Sequence, residues 1–400
     1  MQIKKYLFNS TYLSGDALSR SIDFSKNTLD IKSGTGIGAT TSILNIKDKS
    51  VIAVFPLVGV IQAKEAKRSK FKSDYQFFIY SKSKDRWSDV ERVLKAGIQN
   101  VIICTTADQI VYLRQSNPPL FDILRLLPCF IDEIHLFSSN AWRRNLATFI
   151  NILTNEWKGF YKFSTATPSR DFESYFNTSN LDIAILQREN DKPKEIKLTE
   201  STKDAWSYVF TEMEAGRNVV IFSNDLNHHK KEFIKAKQIN LTGEGLAIKL
   251  AVFGKGLDYF KDEIDTTFLN QFPLIFVSSK YLTGYDIEPK SDTSILIMVN
   301  NRDESTLYNV EDIIQAYGRV RVNLHDSLLC VSKVMTPPTL EGLEVIKRGC
   351  NLNYESSLEI QSKTPKNRDF NIKSFNNFAL DNNGFASRLL AFDKFLKAES

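Results

Sequence analysis

The feature that most narrows the fold is a recurring one. Short, nearly unbroken apolar runs, rich in β-branched and aromatic residues, alternate with longer segments of helical character. Strands are expected at Val51–Phe55, Tyr75–Tyr80, Val101–Thr105, Cys129–Asp132 and Phe160–Ser164. After a polar stretch at 187–194 they are expected again at Val219–Ser223, Leu274–Ser278, Ser294–Val299 and Leu328–Ser332. A strand with one wet face alternates apolar and polar residues, whereas runs as uniformly apolar as these are covered on both faces, as in parallel sheets flanked by helices. The chain therefore reads as α/β, with two tandem parallel-sheet lobes and a short C-terminal extension. The expected boundaries are 1–190, 191–335 and 336–400. Beyond Pro337-Pro338 the pattern weakens, residues 363–383 are rich in Asn, Lys and Phe, and a terminal helix is expected near Ala386–Lys397.

Composition excludes several classes. With 400 residues, 42% hydrophobic and 25% charged, the chain can bury large cores without staples. No apolar run approaches the roughly 20 residues that a membrane span needs, and the start, Met1-Gln2-Ile3-Lys4-Lys5, has no signal-peptide core, so an intracellular protein is expected. Cys104, Cys129, Cys330 and Cys350 are scattered with no C-x-x-C, which points to reduced, mostly buried thiols rather than zinc ligands or disulfides. The net charge of +5 does not by itself indicate a polyanionic partner.

Two segments carry chemistry. Ser33-Gly34-Thr35-Gly36-Ile37-Gly38-Ala39-Thr40-Thr41 has glycines at alternate positions, which let a backbone turn tightly and aim its N–H groups at a phosphate, with the next helix adding its N-terminal end. The residue before the Ser/Thr of such a loop is ordinarily a lysine that reaches the β- and γ-phosphates, and here it is Ala39. Downstream, Phe130-Ile131-Asp132-Glu133-Ile134-His135 ends a buried strand in two acids, where a purely structural strand would continue apolar. Asp132 is placed to hold Mg²⁺ with Thr40, and Glu133 to orient or deprotonate an attacking water.

With these residues in view, the chain resembles the superfamily 2 helicases of the DExH type, whose core is two RecA-like lobes. Ser33–Thr40 is similar to their first motif, Asp132-Glu133-Ile134-His135 to D-E-x-H, and Ser164-Thr165-Ala166-Thr167-Pro168 to the S-A-T motif. Val277–Ile287, through Gly284-Tyr285-Asp286, resembles the motif ending G-x-D-I, and Gln315-Ala316-Tyr317-Gly318-Arg319-Val320-Arg321 resembles Q-x-x-G-R-x-R. Weaker likenesses lie at Phe55-Pro56-Leu57 followed by Gln62, at Thr105-Thr106-Ala107-Asp108-Gln109, and at Phe222-Ser223-Asn224. The resemblance implies ATP and Mg²⁺ as cofactors, bound through Thr35, Gly36, Gly38, Ala39, Thr40, Thr41, Gly284 and Asp286, with the metal on Thr40 and Asp132. It implies catalytic roles for Glu133, Gln315, Arg319 and Arg321, the arginines acting as fingers. Pro56, Thr105, Thr106 and Ser223 would touch the backbone of single-stranded DNA or RNA, with replication or repair proteins as further partners. The basic run Lys64, Lys67, Arg68, Lys70 and Lys72 is either a flank of that track or a solvated face.

Ala39 departs from the pattern. A charge-assisted hydrogen bond contributes about 1.5–3 kcal/mol, so its loss slows hydrolysis by roughly tenfold to a hundredfold or more. Three readings stay open: a substitution that silences the motor, a loop whose charge comes from another basic residue, with Lys32 as candidate, or a chain that no longer hydrolyses and serves as a nucleic-acid-binding scaffold.

Overall fold

Val51, Ala53 and Phe55 pack into one apolar cluster while Ile52 and Val54 pack into another, so consecutive residues of a single strand serve two cores. That is the geometry of a sheet covered on both faces. The computed structural model describes residues 3–10, 12–32, 36–73, 75–80, 86–136, 144–166, 181–189, 196–225, 228–229, 231–232, 250–253, 274–278, 287–289, 291–300, 310–320 and 323–333. The expected terminal helix and the whole of 336–400 lie outside them. The chain divides into two compact units, Met1–Lys192 and Pro193–Ser400.

In the first unit the described strands are β1 (Lys4–Phe8), β2 (Thr28–Lys32), β3 (Val51–Phe55), β4 (Tyr75–Ile79), β5 (Val101–Thr106), β6 (Cys129–Asp132), β7 (Tyr161–Thr165) and β8 (Asp182–Arg188). They form a parallel sheet in the order β1-β8-β2-β7-β6-β3-β5-β4. Helices α1 (Gly15–Ile22), α2 (Ala39–Leu44), α3 (Val58–Ala66), α4 (Arg86–Lys95), α5 (Ala107–Ser116), α6 (Pro118–Leu124) and α7 (Arg144–Asn155) accompany it. Side chains of α2 and α3 cover one face and those of α4, α5, α6 and α7 the other. Pro118 and Pro119 open α6, where a missing N–H costs nothing, and the side chain of Asn117 accepts from Leu120 N to cap it.

The second unit holds β9 (Lys197–Thr199), β10 (Asn218–Ser223), β11 (Leu250–Phe253), β12 (Leu274–Ser278), β13 (Thr293–Asn300) and β14 (Leu324–Lys333) among its described residues. Their order is β11-β12-β10-β13-β14-β9, again parallel throughout. Helix α8 (Thr202–Glu214) packs Trp206 and Val209 on one face, and α9 (Val310–Tyr317) packs Ile313 and Ala316 on the other. No helix among the described residues is long and apolar enough to cross a membrane. Cys104, Cys129 and Cys330 are buried free thiols, and burial pushes all three up from the ordinary thiol range, so they stay protonated and inert.

Five described strands, β1, β2, β8, β9 and β11, fall outside the nine expected runs, and two of them do so for opposite reasons. β1 edges its sheet and is largely exposed. β2 is central and carries charges: its sequence is Thr-Leu-Asp-Ile-Lys, with Asp30 and Lys32 both buried. Asp30 Oδ1 accepts from Arg20 Nε at 3.0 Å, and its Oδ2 accepts from Lys162 Nζ at 2.9 Å. Arg20 also donates to Asp182 Oδ2 at 2.6 Å, and Lys162 Nζ to the Arg20 carbonyl at 2.6 Å. Burial works to lower the Arg20 guanidinium, but Asp30 and Asp182 hold it above its ordinary value; for Lys162 burial prevails and pulls the ammonium down. Asp30→Asn would leave two buried cations facing a neutral amide. We expect it to cost about 3–5 kcal/mol in urea-induced unfolding; a loss below about 1 kcal/mol, the worth of an exposed pair, would contradict the network as described.

Candidate functional site

In a parallel sheet all carboxyl ends of strands lie along one edge, and open α/β sheets bind ligands there. β2, β7 and β6 are consecutive neighbours, with Ile31 in register with Thr165 and Asp132 with Ser164. Lys32, Thr165 and Asp132 therefore reach the same edge. β2 and β6 lie two strand spacings apart, about 9–10 Å, so only long side chains bridge them. Lys32 does so: its Nζ lies 3.2 Å from Asp132 Oδ1 and 3.2 Å from Glu133 Oε1. All three residues are buried, Lys32 at 5% exposure, Asp132 at 7% and Glu133 at 8%. Burial alone would lower the Lys32 ammonium, but the two carboxylates outweigh it and hold the group above the ordinary lysine value.

The other carboxylate oxygen of Asp132, Oδ2, accepts from Thr40 Oγ1 at 2.7 Å. This hydrogen bond joins the glycine-rich loop to the acidic strand end across 92 residues of sequence. Asp132 and Thr40 are hard oxygen donors side by side, the set that Mg²⁺ takes together with phosphate oxygens and water. Their chemistry fits that ion.

Glu133 stands with φ at 48°. The other non-glycine residues with positive φ among those described are Asn100 and Asn323, and asparagine tolerates that region. Glutamate does not, and such a conformation is held by its surroundings at a cost of order 1–3 kcal/mol. Here Asp132 Oδ1 accepts from Glu133 N at 3.1 Å, and Ile134 N donates to the Ser164 carbonyl at 3.1 Å, tying the turn to β7. His135 Nδ1 lies 2.9 Å from Thr165 Oγ1 and 3.4 Å from Glu133 Oε2. The imidazole thus links the acidic pair to the strand end where Ser164-Thr165-Ala166 begins.

The loop itself has two glycines in the left-handed region, Gly36 at φ 77° and Gly38 at φ 90°. A Cβ on Gly38 would stand 3.2 Å from Cδ1 and 3.3 Å from Cβ of Tyr12. Leu13 N donates to the Ile37 carbonyl at 2.9 Å, so 12–13 form a wall against the loop, with Tyr12 64% exposed beside it. Ala39 is buried in an apolar cluster with Phe8, Leu13, Ala17, Ile37 and Leu186. The helix it begins is only six residues long, under two turns. Its dipole is correspondingly small, so it supplies only part of the positive charge that a polyphosphate needs.

The structure thus gathers Thr40, Asp132 and Glu133, three of the expected site residues, around Lys32. Gly36 and Gly38 sit in the loop as expected, Thr41 is exposed, and Ala39 turns into the apolar cluster. Thr35, Gly284, Asp286 and Arg321 lie outside the described residues. Gln315 and Arg319 come together: the Arg319 guanidinium donates to the Gln315 side-chain oxygen and, from Nε, to the Gln315 carbonyl at 3.2 Å. Both are buried, at 1% and 2% exposure.

The residues expected on a nucleic-acid track fare unevenly. Thr106 ends β5 and precedes α5, and Pro56 follows β3, both buried. Thr105 is wholly buried, and Ser223 is 1% exposed with its hydroxyl 2.6 Å from His229 Nδ1. Thr105 is the penultimate residue of β5 and Ser223 the last of β10, each at the carboxyl end of its strand. Of the basic run, Arg68, Lys70 and Lys72 are exposed at and just after a 3₁₀ turn that follows α3. What sequence reasoning missed is the contact of Lys32 with both acids, the His135–Thr165 link and the exposed Tyr12. The signal for the first was visible: a lysine one residue before a glycine-rich loop.

No protein-family model matches the chain, and no curated protein does. Solved structures do. The DUF1998 helicase MrfA bound to DNA matches with a TM-score of 0.52 at 13% identity, over 81% of this chain and 48% of that one. RecG bound to a three-way DNA junction matches at 0.50 and 16% identity, over 92% and 50%. A variant of S. cerevisiae Dbp5 bound to RNA and ADP BeF3 matches at 0.51 and 12%, over 83% and 86%. The fold is that of RecA-like helicase lobes. The chain spans about half the length of the MrfA and RecG chains it matches. Within this RecA-like fold, the expectation of α/β lobes with parallel sheets is met.

The contact between loop and wall gives a direct test. Gly97, at φ 72°, has nothing within 4 Å of an added Cβ. Gly97→Ala should therefore cost only the backbone penalty of about 1–2 kcal/mol, and Gly38→Ala should cost clearly more because Tyr12 must shift. Equal losses in urea unfolding would contradict the packing of Tyr12 on the loop.

Proposed function

We propose that the chain is a nucleic-acid-stimulated ATP hydrolase, a helicase or translocase motor of superfamily 2 and the DExH type, acting inside the cell on single-stranded DNA or RNA. The observation that carries this reading is the junction of Thr40, Asp132 and Glu133 at the carboxyl edge of a RecA-like sheet. It is supported by the neighbours, whose structures hold DNA, RNA or, for MrfA, DNA with AMPPNP. Replication or repair proteins are the proposed companions.

In this reading Thr40 and Asp132 would hold Mg²⁺, which would supply charge to neutralise phosphate oxygens. Glu133 orients the attacking water and takes its proton as the oxygen bonds to the γ-phosphorus. The bond from that phosphorus to the bridging oxygen breaks, and ADP leaves with the electron pair. Glu133 is suited to this because its backbone turn, tied to β7, fixes where its carboxylate lies. The His135–Thr165 contact is the route by which events at the acids reach the Ser164-Thr165-Ala166 segment.

Phosphate release from Mg²⁺-ATP, measured with and without single-stranded DNA or RNA, tests the proposal. Stimulated turnover is expected, and Glu133→Gln should reduce it by about a hundredfold or more. The same assay on Arg319→Ala reports whether the second unit takes part. Absence of turnover under every condition would favour the non-hydrolysing nucleic-acid scaffold.

A further inference from the structure

Ala39 leaves the glycine-rich loop without its lysine, yet a lysine stands on the acids that such a loop serves. Lys32 is the last residue of β2 and lies immediately before the loop. Its ammonium contacts Asp132 and Glu133 equally, at 3.2 Å each. The plain alternative is a lysine that only neutralises two buried carboxylates.

Three observations argue for more. Position 39 is filled by the apolar cluster of Phe8, Leu13, Ala17, Ile37 and Leu186, so the fold is packed for a small side chain there and not for a cation. The short α2 adds little positive charge, so a polyphosphate at this edge needs a cation from elsewhere. Lys32 is also the group whose flexible stem springs from the strand that feeds the loop, and burying and ordering such a side chain is costly in a position where a central strand would otherwise hold a β-branched residue.

We infer that Lys32 is the phosphate-binding lysine of this site, transposed from the helix start to the strand end. The inference rests on the nucleotide reading above and goes beyond it by assigning the missing charge. With a triphosphate bound, the ammonium leaves the carboxylates for the β- and γ-phosphates. That exchange frees Glu133 to accept the proton of the attacking water. Substrate binding and the arming of the base are then one event.

Calorimetric titration of the full chain with AMPPNP and with AMP, both with Mg²⁺, tests this on the native protein, Lys32→Met, Lys32→Arg and the surface control Lys158→Met. Lys32→Met should weaken AMPPNP by about tenfold to a hundredfold, the worth of one charge-assisted contact, and leave AMP unchanged. Lys32→Arg should recover part of the loss, and Lys158→Met should match the native chain. Native affinity for AMPPNP in Lys32→Met would overturn the inference while leaving the nucleotide reading intact. A native chain that binds neither nucleotide would overturn both. Should Lys32→Met fail to fold, the ¹⁵Nζ resonance of Lys32 in the native chain, assigned by its loss in Lys32→Arg, gives the answer. A larger shift with AMPPNP than with AMP supports the inference, and no shift overturns it.

Discussion

Asp132 and Glu133 are buried side by side at the end of a central strand, and buried carboxylates require a partner of opposite charge. Lys32 is that partner, and much at the carboxyl edge of the first sheet depends on it. Without its ammonium two like charges would face each other in a low-dielectric pocket. With it on Oδ1, Asp132 keeps Oδ2 for Thr40. One cation thus supports the junction between two segments of chain that meet only because β2 and β6 flank the same strand.

The same strand carries a second buried charge, Asp30, and the comparison is instructive. Asp30 is enclosed by Arg20 and Lys162 within the body of the sheet, with Arg20 bonded on to Asp182 of β8 and Lys162 to the Arg20 carbonyl of α1. Such a network is a structural clamp, strongly destabilising to break and inert chemically. Lys32 lies two residues on, at the carboxyl edge, and its partners are the two acids proposed to serve the nucleotide. Position along one strand separates the structural charge from the one proposed to meet phosphate.

Much of this was legible beforehand. The nine apolar runs all became strands, because a strand covered on both faces can hardly be anything but apolar. The acidic pair and Thr40 were legible because acids at the end of such a run break its logic. The rest was hidden for physical reasons. β2 reads poorly as a strand because Asp30 and Lys32 interrupt it, and only tertiary pairing makes those charges tolerable. Tyr12 carries no spacing rule, and the D-E-x-H spacing that marks His135 does not say what it touches; their contacts with Gly38 and Thr165 are made by the fold. Thr105 and Ser223 were singled out by their hydroxyls, and strand packing buries both.

A crystal structure of the full chain with Mg²⁺-AMPPNP tests the central claim most directly. The account predicts triphosphate at the glycine-rich loop, Thr40 and Asp132 on the metal, and the Lys32 ammonium on phosphate oxygens, away from Glu133. Nucleotide bound with Lys32 still on both acids, or nucleotide bound elsewhere, would contradict it.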